Sequence, residues 1–228
     1  MDKSKILLIV PAYNESKVID ETIQGILDEG YNLVVIDDCS TDDTYEKCLR
    51  HHCYVLRHMV NLGQGAAIQT GFSFGLSQTS YEVFVTFDAD GQHRVEDVEP
   101  LVNSILTGQA EVALGSRFLG TEPENMPKLR RFVIKMAIGL TRLISRIKVT
   151  DTHNGLRAFS RKSLSQVEIT HNDMSHASEI LDIIHKNRIS FIEVPVKITY
   201  SDYSLKKGQN LLNGVNILWD LIFKENTK

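Results

Sequence analysis

The chain has 228 residues, 42% hydrophobic and 24% charged, with a formal net charge of −4. That length suits one large α/β domain or two small ones, and the negative charge excludes a generally basic nucleic-acid binder. Cys39, Cys48 and Cys53 form no C-x-x-C pair, so neither a zinc site nor a disulfide framework is indicated, and reduced cytosolic thiols fit the count.

The first apolar run, Ile6-Leu7-Leu8-Ile9-Val10, is too short for a signal-peptide core and reads as a buried strand. It opens an alternation of strands, expected at residues 5–10, 33–36, 54–57, 83–87 and 112–114, with helices expected at 17–28, 43–51, 64–77 and 95–106. Alternation of this kind implies right-handed βαβ crossovers and a mostly parallel α/β sheet. Ser40-Thr41-Asp42-Asp43 offers several N-cap side chains to the second helix. With no linker, repeat or low-complexity tract, residues 1–228 read as a single domain, in which 1–115 differ in structure from 116–228. No stretch of 18 uncharged apolar residues occurs, so no membrane-spanning helix is expected.

The chemistry lies where strands end. Pro11 is expected to stop the first strand, leaving Tyr13 and Glu15 at its carboxyl edge. Tyr13 can stack on a base; Glu15 can accept from a base or ribose, or serve as an ordinary first-turn acid at a helix dipole. The second strand ends in Asp37-Asp38-Cys39-Ser40, where one acid can bond a base or ribose and the other only cap. The fourth ends in Asp88-Ala89-Asp90-Gly91-Gln92-His93. Two carboxylates so placed repel each other unless a hard cation shares them, and Mg²⁺ or Mn²⁺ beside a diphosphate is the usual solution; the bland alternative is an Asx-type turn. Three strand ends carrying acids at one edge of an open sheet form a nucleotide-and-metal constellation.

Two motifs mislead. Gly63-Gln64-Gly65 lacks the third glycine of a dinucleotide fingerprint and follows the third strand. Gly71-Phe72-Ser73-Phe74-Gly75 matches a nucleophile elbow, but a helical pattern precedes it where a strand is required, so Ser73 reads as an ordinary helix residue. Farther on, residues 128–150 hold seven Lys or Arg and no acid, among many apolar residues. That segment suits either an anionic lipid interface or a core-packing helix with solvated basic edges. The apolar run 211–223, with Trp219, reads as a packing, interfacial or partner-binding helix.

Taken together, Pro11-Ala12-Tyr13-Asn14-Glu15, Val35-Ile36-Asp37-Asp38-Cys39-Ser40-Thr41-Asp42, Asn61-Leu62-Gly63, Asp88-Ala89-Asp90-Gly91-Gln92-His93, Gly115-Ser116-Arg117-Phe118 and Asp151-Thr152-His153-Asn154-Gly155-Leu156-Arg157 stand in an order that resembles family 2 glycosyltransferases of the GT-A fold, close to the dolichyl- and polyprenyl-phosphate sugar synthases. The resemblance implies that Pro11, Tyr13, Glu15, Gly63 and Asp37 or Asp38 frame the nucleotide. It implies that Asp88, Asp90 and Gln92 surround a Mg²⁺ or Mn²⁺ ion and the diphosphate of a GDP- or UDP-sugar, and that Arg117 and Arg131 hold an acceptor phosphate. Residues 200–209 resemble a Ser-Lys loop over the donor, with Lys207 a candidate; Tyr200 and the Leu205 between Ser204 and Lys206 depart from that pattern.

The expected activity is inverting transfer to a polyprenyl phosphate at the cytoplasmic membrane face, by a peripheral protein working with a small membrane-spanning partner. The alternatives are transfer to a saccharide hydroxyl, for which Glu179 is the candidate base (or an ordinary first-turn acid), and a binding module without turnover.

Overall fold

A computed structural model describes residues 1–119 and 148–199. Arg131, most of the basic segment, Lys207 and the 211–223 run lie outside the described residues. Within them one seven-stranded sheet has the order β3-β2-β1-β4-β6-β5-β7. Its strands are β1 (Ile6–Ala12), β2 (Asn32–Asp37), β3 (Tyr54–Arg57), β4 (Val83–Thr86), β5 (Val112–Ser116), β6 (Arg157–Ser160) and β7 (Phe191–Pro195). The sheet is parallel from β3 through β4 and again between β5 and β7. β6 runs antiparallel to both its neighbours, β4 and β5.

Alternation of apolar residues along β1 feeds two cores. Leu8 and Val10 pack with α1 (Ile19–Asp28) and α4 (Val98–Leu106) on one face, while Leu7 and Ile9 pack with α3 (Gln64–Ser77) and α6 (His176–Lys186) on the other. α1 buries Ile19, Ile23 and Ile26, the i, i+4, i+7 stripe of an amphipathic helix, and carries Asp20 and Glu21 in its first turn. α2 (Thr44–Cys48) and α5 (Arg161–Leu164) are short. α3 approaches the sheet through glycines: a Cβ on Gly71 would stand 2.2 Å from Ile9 Cγ2 and 3.0 Å from Ile36 Cδ1. Ser73 lies on its exposed side with Oγ bonded to the Gln69 carbonyl, an ordinary helix residue.

The structure corrects one expectation about the first strand. Pro11 does not stop β1, which runs on to Ala12 with Pro11 opposite Ile36. Phe87 N donates to the Ile9 carbonyl, so Ile9 faces β4; Pro11, two residues on, faces the same side, past the last β4 residue, Thr86. Its missing N–H therefore costs no ladder bond. The second helix covers only Thr44–Cys48 of the expected 43–51, and the fourth begins with a 3₁₀ turn, Val95–Asp97, before α4.

Because Gly71 touches a rigid strand, Gly71→Ala should destabilise the fold by about 1–3 kcal/mol through overpacking. Urea unfolding measures it; a midpoint equal to that of the parent protein would contradict the close α3–β1 approach.

Candidate active site

The chain runs β1-β2-β3 towards one edge and then returns to place β4 on the other side of β1. The carboxyl ends of β1 and β4 thus flank a topological switch point, where open α/β sheets bind ligands. β6 matters for a second reason. Being antiparallel, it starts at this same edge, with Arg157 opposite Thr86 and Leu114. The residues before it, 151–156, are delivered beside the acids that follow β4.

The loops after β1 and β2 are stitched together by side chains bonding backbone. Asn14, with φ of 54°, donates its N–H to Ser40 Oγ at 3.0 Å and accepts from Thr41 N at Oδ1 at 2.8 Å. Glu15 N donates to Thr44 Oγ1 at 2.8 Å, and Ser16 N to Asp42 Oδ2 at 3.2 Å. Asp42 also accepts from Thr44 N at 3.0 Å, so the expected start signal is used, one residue ahead of the helix boundary. Glu15 is buried, while Tyr13 keeps 42% of its surface exposed.

Asp37 and Asp38 are both buried, but differently engaged. Asp38 accepts three hydrogen bonds, from His58 Nδ1 at 2.7 Å, Leu62 N at 2.9 Å and Gly63 N at 2.7 Å. It is the internal cap of the loop that follows β3. Asp37 accepts from Ser40 N at 3.3 Å and Arg57 Nε at 3.1 Å.

Asp88 is held on three sides. Gln64 Nε2 donates to Oδ1 at 3.1 Å and His93 Nε2 to Oδ2 at 3.0 Å. Gly155 closes the third side: a Cβ there would lie 2.1 Å from Oδ2, so any side chain at this position would push the carboxylate aside. Burial opposes the charge of Asp88, but the His93 bond and the fields of His93, His176 and Arg157 outweigh it and hold the carboxyl below its usual range. With Nε2 given to Asp88, His93 Nδ1 is buried with no hydrogen-bond partner among the described residues; such an orphan costs about 1–3 kcal/mol, accepted here at the residue that fixes Asp88.

Asp90 has a different environment. It accepts Gln92 N at 3.0 Å in an Asx turn. Burial, and next the charge of Asp88, push its pKa up to about 6. Among the described residues no group of three or more His, Cys, Asp or Glu side chains converges on a metal position. Mg²⁺ and Mn²⁺ need no such cage; one or two carboxylates, waters and substrate phosphates serve them. Two mutually repelling carboxylates followed by Gln92, an all-oxygen set, fit such a cation.

Arg117 leaves the end of β5 and is buried against Asp151: Nε donates to Oδ2 at 2.6 Å and the backbone N to the same oxygen at 3.1 Å. Its Nη2 donates to the His153 carbonyl at 3.2 Å. Glu193 on β7 steadies this turn by accepting Thr150 N at 2.7 Å and Asp151 N at 3.2 Å. Arg157 is buried behind Asp88 and spends Nε and Nη2 on the carbonyls of Asn154 and Thr152. Burial lowers the His153 pKa to about 4, leaving a neutral imidazole near neutrality.

Residues 7–168 match Glycosyl transferase family 2. The chain belongs to that family. It is 36% identical to an uncharacterized protein of Methanocaldococcus jannaschii, over 99% of this chain and 94% of that one. It is 32% identical to the UDP-N-acetylglucosamine–dolichyl-phosphate N-acetylglucosaminyltransferase of Methanococcus voltae, over 95% of this chain and 94% of the relative. The fold is also that of glucosyl-3-phosphoglycerate synthase from Mycobacterium tuberculosis, solved with Mn²⁺, uridine diphosphate and glucosyl-3-phosphoglycerate, with a TM-score of 0.72, 18% identity, and coverage of 96% of this chain and 79% of that one. The protein is therefore a glycosyltransferase of the GT-A fold, related to the polyprenyl-phosphate sugar synthases.

In this glycosyltransferase Pro11 and Asp37 stand at the carboxyl ends of β1 and β2, Tyr13, Glu15, Asp38 and Gly63 on the loops after β1, β2 and β3, and Asp88, Asp90 and Gln92 on the loop after β4. Arg117 reaches the same edge from β5. Glu179 lies in the first turn of α6, bonded to Thr170 and His171. Gln64, His93, Asp151 and Gly155 join the site without an expected role. The last three stood inside quoted motifs, which was the available signal; Gln64 sat in the rejected glycine turn.

In the folded, metal-free protein Asp90 binds its proton more tightly than in the unfolded chain, so this group destabilises the fold increasingly as pH rises from about 4 to 6. Asp90→Asn should raise the melting temperature of metal-free protein near pH 7.5 by a few degrees, about 1–2 kcal/mol after discounting for partial exposure, with the gain shrinking towards pH 4. A lowered melting temperature at the higher pH would refute the assignment.

Proposed function

We propose that this glycosyltransferase moves a sugar from a nucleoside-diphosphate sugar to a polyprenyl phosphate, with Mg²⁺ or Mn²⁺ bound at Asp88, Asp90 and Gln92. The carrying observation is the convergence at one switch point of a strained, stitched loop pair, two unequal carboxylates and the buried Arg117. Tyr13 and Glu15 frame the base, with Asp37 or Asp38 beside them; Asp38 is taken up by three loop donors and Asp37 by Ser40 and Arg57. When bound, the cation neutralises charge on the departing diphosphate.

A phosphate acceptor arrives already anionic near neutral pH, so it needs orientation rather than a strong base. Asp151 fixes the Arg117 guanidinium from behind, and a planar guanidinium is suited to a phosphate. Attack by the acceptor oxygen at the anomeric carbon forms one C–O bond as the C–O bond to the diphosphate breaks, its electron pair leaving with the diphosphate. One such displacement inverts the configuration. The relationship to a dolichyl-phosphate N-acetylglucosaminyltransferase supports the acceptor class. For a hydroxyl acceptor Glu179 was the candidate base, but its two oxygens are turned to Thr170 and His171, which favours the phosphate.

No helix among the described residues is long and apolar enough to cross a membrane. Contact with the cytoplasmic face is assigned to the basic stretch 128–148, where each engaged Lys or Arg adds about 1 kcal/mol near an anionic leaflet, with a membrane-spanning partner completing the anchor.

Incubation with radiolabelled UDP- or GDP-sugars and undecaprenyl phosphate should move label into the lipid phase when Mg²⁺ or Mn²⁺ is present. Asp90→Ala should lower that transfer by about 100-fold or more. Label passing to a saccharide while the lipid stays unlabelled would overturn the acceptor, and metal-dependent nucleotide binding that survives Asp90→Ala would overturn the metal site. A protein that binds donor and turns over none of it would be a binding module.

Co-sedimentation with vesicles tests the membrane contact. Binding should rise with anionic lipid, fall with salt and weaken in Arg142→Glu/Arg146→Glu. Protein left in the supernatant at low salt would assign membrane contact wholly to a partner.

A further inference from the structure

Glu179 is buried enough, and placed near enough to the site, to look like chemistry, yet all its visible bonds go to one turn. Oε1 accepts Thr170 N at 3.0 Å and the Thr170 hydroxyl; Oε2 accepts His171 N at 2.9 Å, and the His171 ring stands 3.1 Å from Oε1. Those bonds, with the burial that opposes them, leave the carboxyl below its usual pKa, which suits an acceptor of hydrogen bonds better than a base.

The turn that Glu179 holds presses on the glycine pair at the start of α3, Gly63 just before it and Gly65 in its first turn. The Asn172 carbonyl accepts Gly65 N at 2.9 Å. A Cβ on Gly65 would stand 2.0 Å from the His171 carbonyl oxygen, and one on Gly63, where φ is +100°, 2.3 Å from the Asn172 oxygen. Gly63-Gln64-Gly65 is thus a notch that receives the 171–172 backbone, which explains two glycines without a dinucleotide. Gln69 Oε1 adds a second clamp, on Ile169 N at 2.7 Å. Between the two glycines stands Gln64, whose Nε2 meets Asp88 Oδ1 at 3.1 Å, the only amide orientation that donates to a carboxylate.

We propose that Glu179 is a positioning residue of the donor site, acting through the 170–172 turn and the glycine notch to hold Gln64 on Asp88. Gln64 and His93 then grip opposite oxygens of Asp88, and Gly155 backs it, so that this carboxylate meets the donor in one orientation. The proposal takes from the functional reading only that Asp88 faces the donor diphosphate. Partners of this kind, one step removed from a ligand, typically change affinity or activity by about 10–100-fold when removed.

The test uses the full chain with UDP and GDP as probes, with and without Mn²⁺, and steady-state transfer where it can be measured. Glu179→Ala and Gln64→Ala should each weaken nucleotide binding about 10-fold and raise the donor KM more than they lower kcat. The double variant should be no weaker than either alone, because both cut one path. Glu179→Gln keeps one carbonyl oxygen for the turn and should recover part of the loss. A catalytic base predicts the opposite pattern: Gln and Ala equally inactive in kcat, with nucleotide binding untouched.

Hydrogen exchange of the Gly65 amide in the nucleotide-free protein should quicken in Glu179→Ala and not in Gln64→Ala. Unchanged Gly65 exchange, additive losses, or parent-like nucleotide affinity in Glu179→Ala would overturn the proposal. Failure of the parent protein to bind either nucleotide would instead sink the functional reading, and the exchange measurement would still judge the link from Glu179 to Gly65.

Discussion

Two carboxylates at the end of a buried strand, two residues apart, repel each other, and the site is organised around the unequal way that repulsion is resolved. Asp88 receives everything that stabilises charge: two side-chain donors, a cationic background from Arg157, and a glycine that lets its oxygens sit against backbone. Asp90 receives one backbone N–H, while burial and then its neighbour's charge work against its ionised form, only partly offset by His93. The first is a fixed anion. The second is an anion that is costly in its own surroundings, and the difference arises from those surroundings, since the residues are chemically alike.

The rest of the edge is built by acids doing structural work. Asp38 gathers the loop after β3, Asp42 the start of α2, Glu179 the turn before α6, and Glu193 the turn that carries Asp151. Each satisfies backbone N–H groups that a loop at a sheet edge would otherwise leave unpaired. Loops tied in this way hold their geometry without regular structure, which is what a site that must hold a donor and an acceptor in line requires.

The strand β6 joins the two halves of the site. Inserted antiparallel between β4 and β5, it carries Gly155 to Asp88 and Asp151 to Arg117 within a few residues of each other. One segment thus sets both the Asp88 carboxylate and the Arg117 guanidinium, on the sides proposed for donor and acceptor.

The sequence by itself determined the α/β class, the order and approximate bounds of the first five strands, and the edge at which Glu15, Asp37, Asp38, Asp88 and Asp90 would meet. Apolar runs and terminal acids are local signals, and parallel strands place all their carboxyl ends on one side. Ser73 was legible too, because the helix period around it left no strand for an elbow.

Only the tertiary structure decided what each acid does. Asp37 and Asp38 are neighbours of the same type, yet the tertiary partners His58, Leu62 and Gly63 belong to Asp38 alone. β6 and β7 escaped notice because Arg157-Ala158-Phe159-Ser160 and the Glu193-containing β7 are short and interrupted by polar residues, and their strand state comes from pairing with β4 and β5. Pro11 inside a strand, Gln64 on Asp88 and the 170–172 turn of Glu179 against Gly63 and Gly65 depend on which neighbour lies where in the fold, and hydrophobic periodicity carries no information about that.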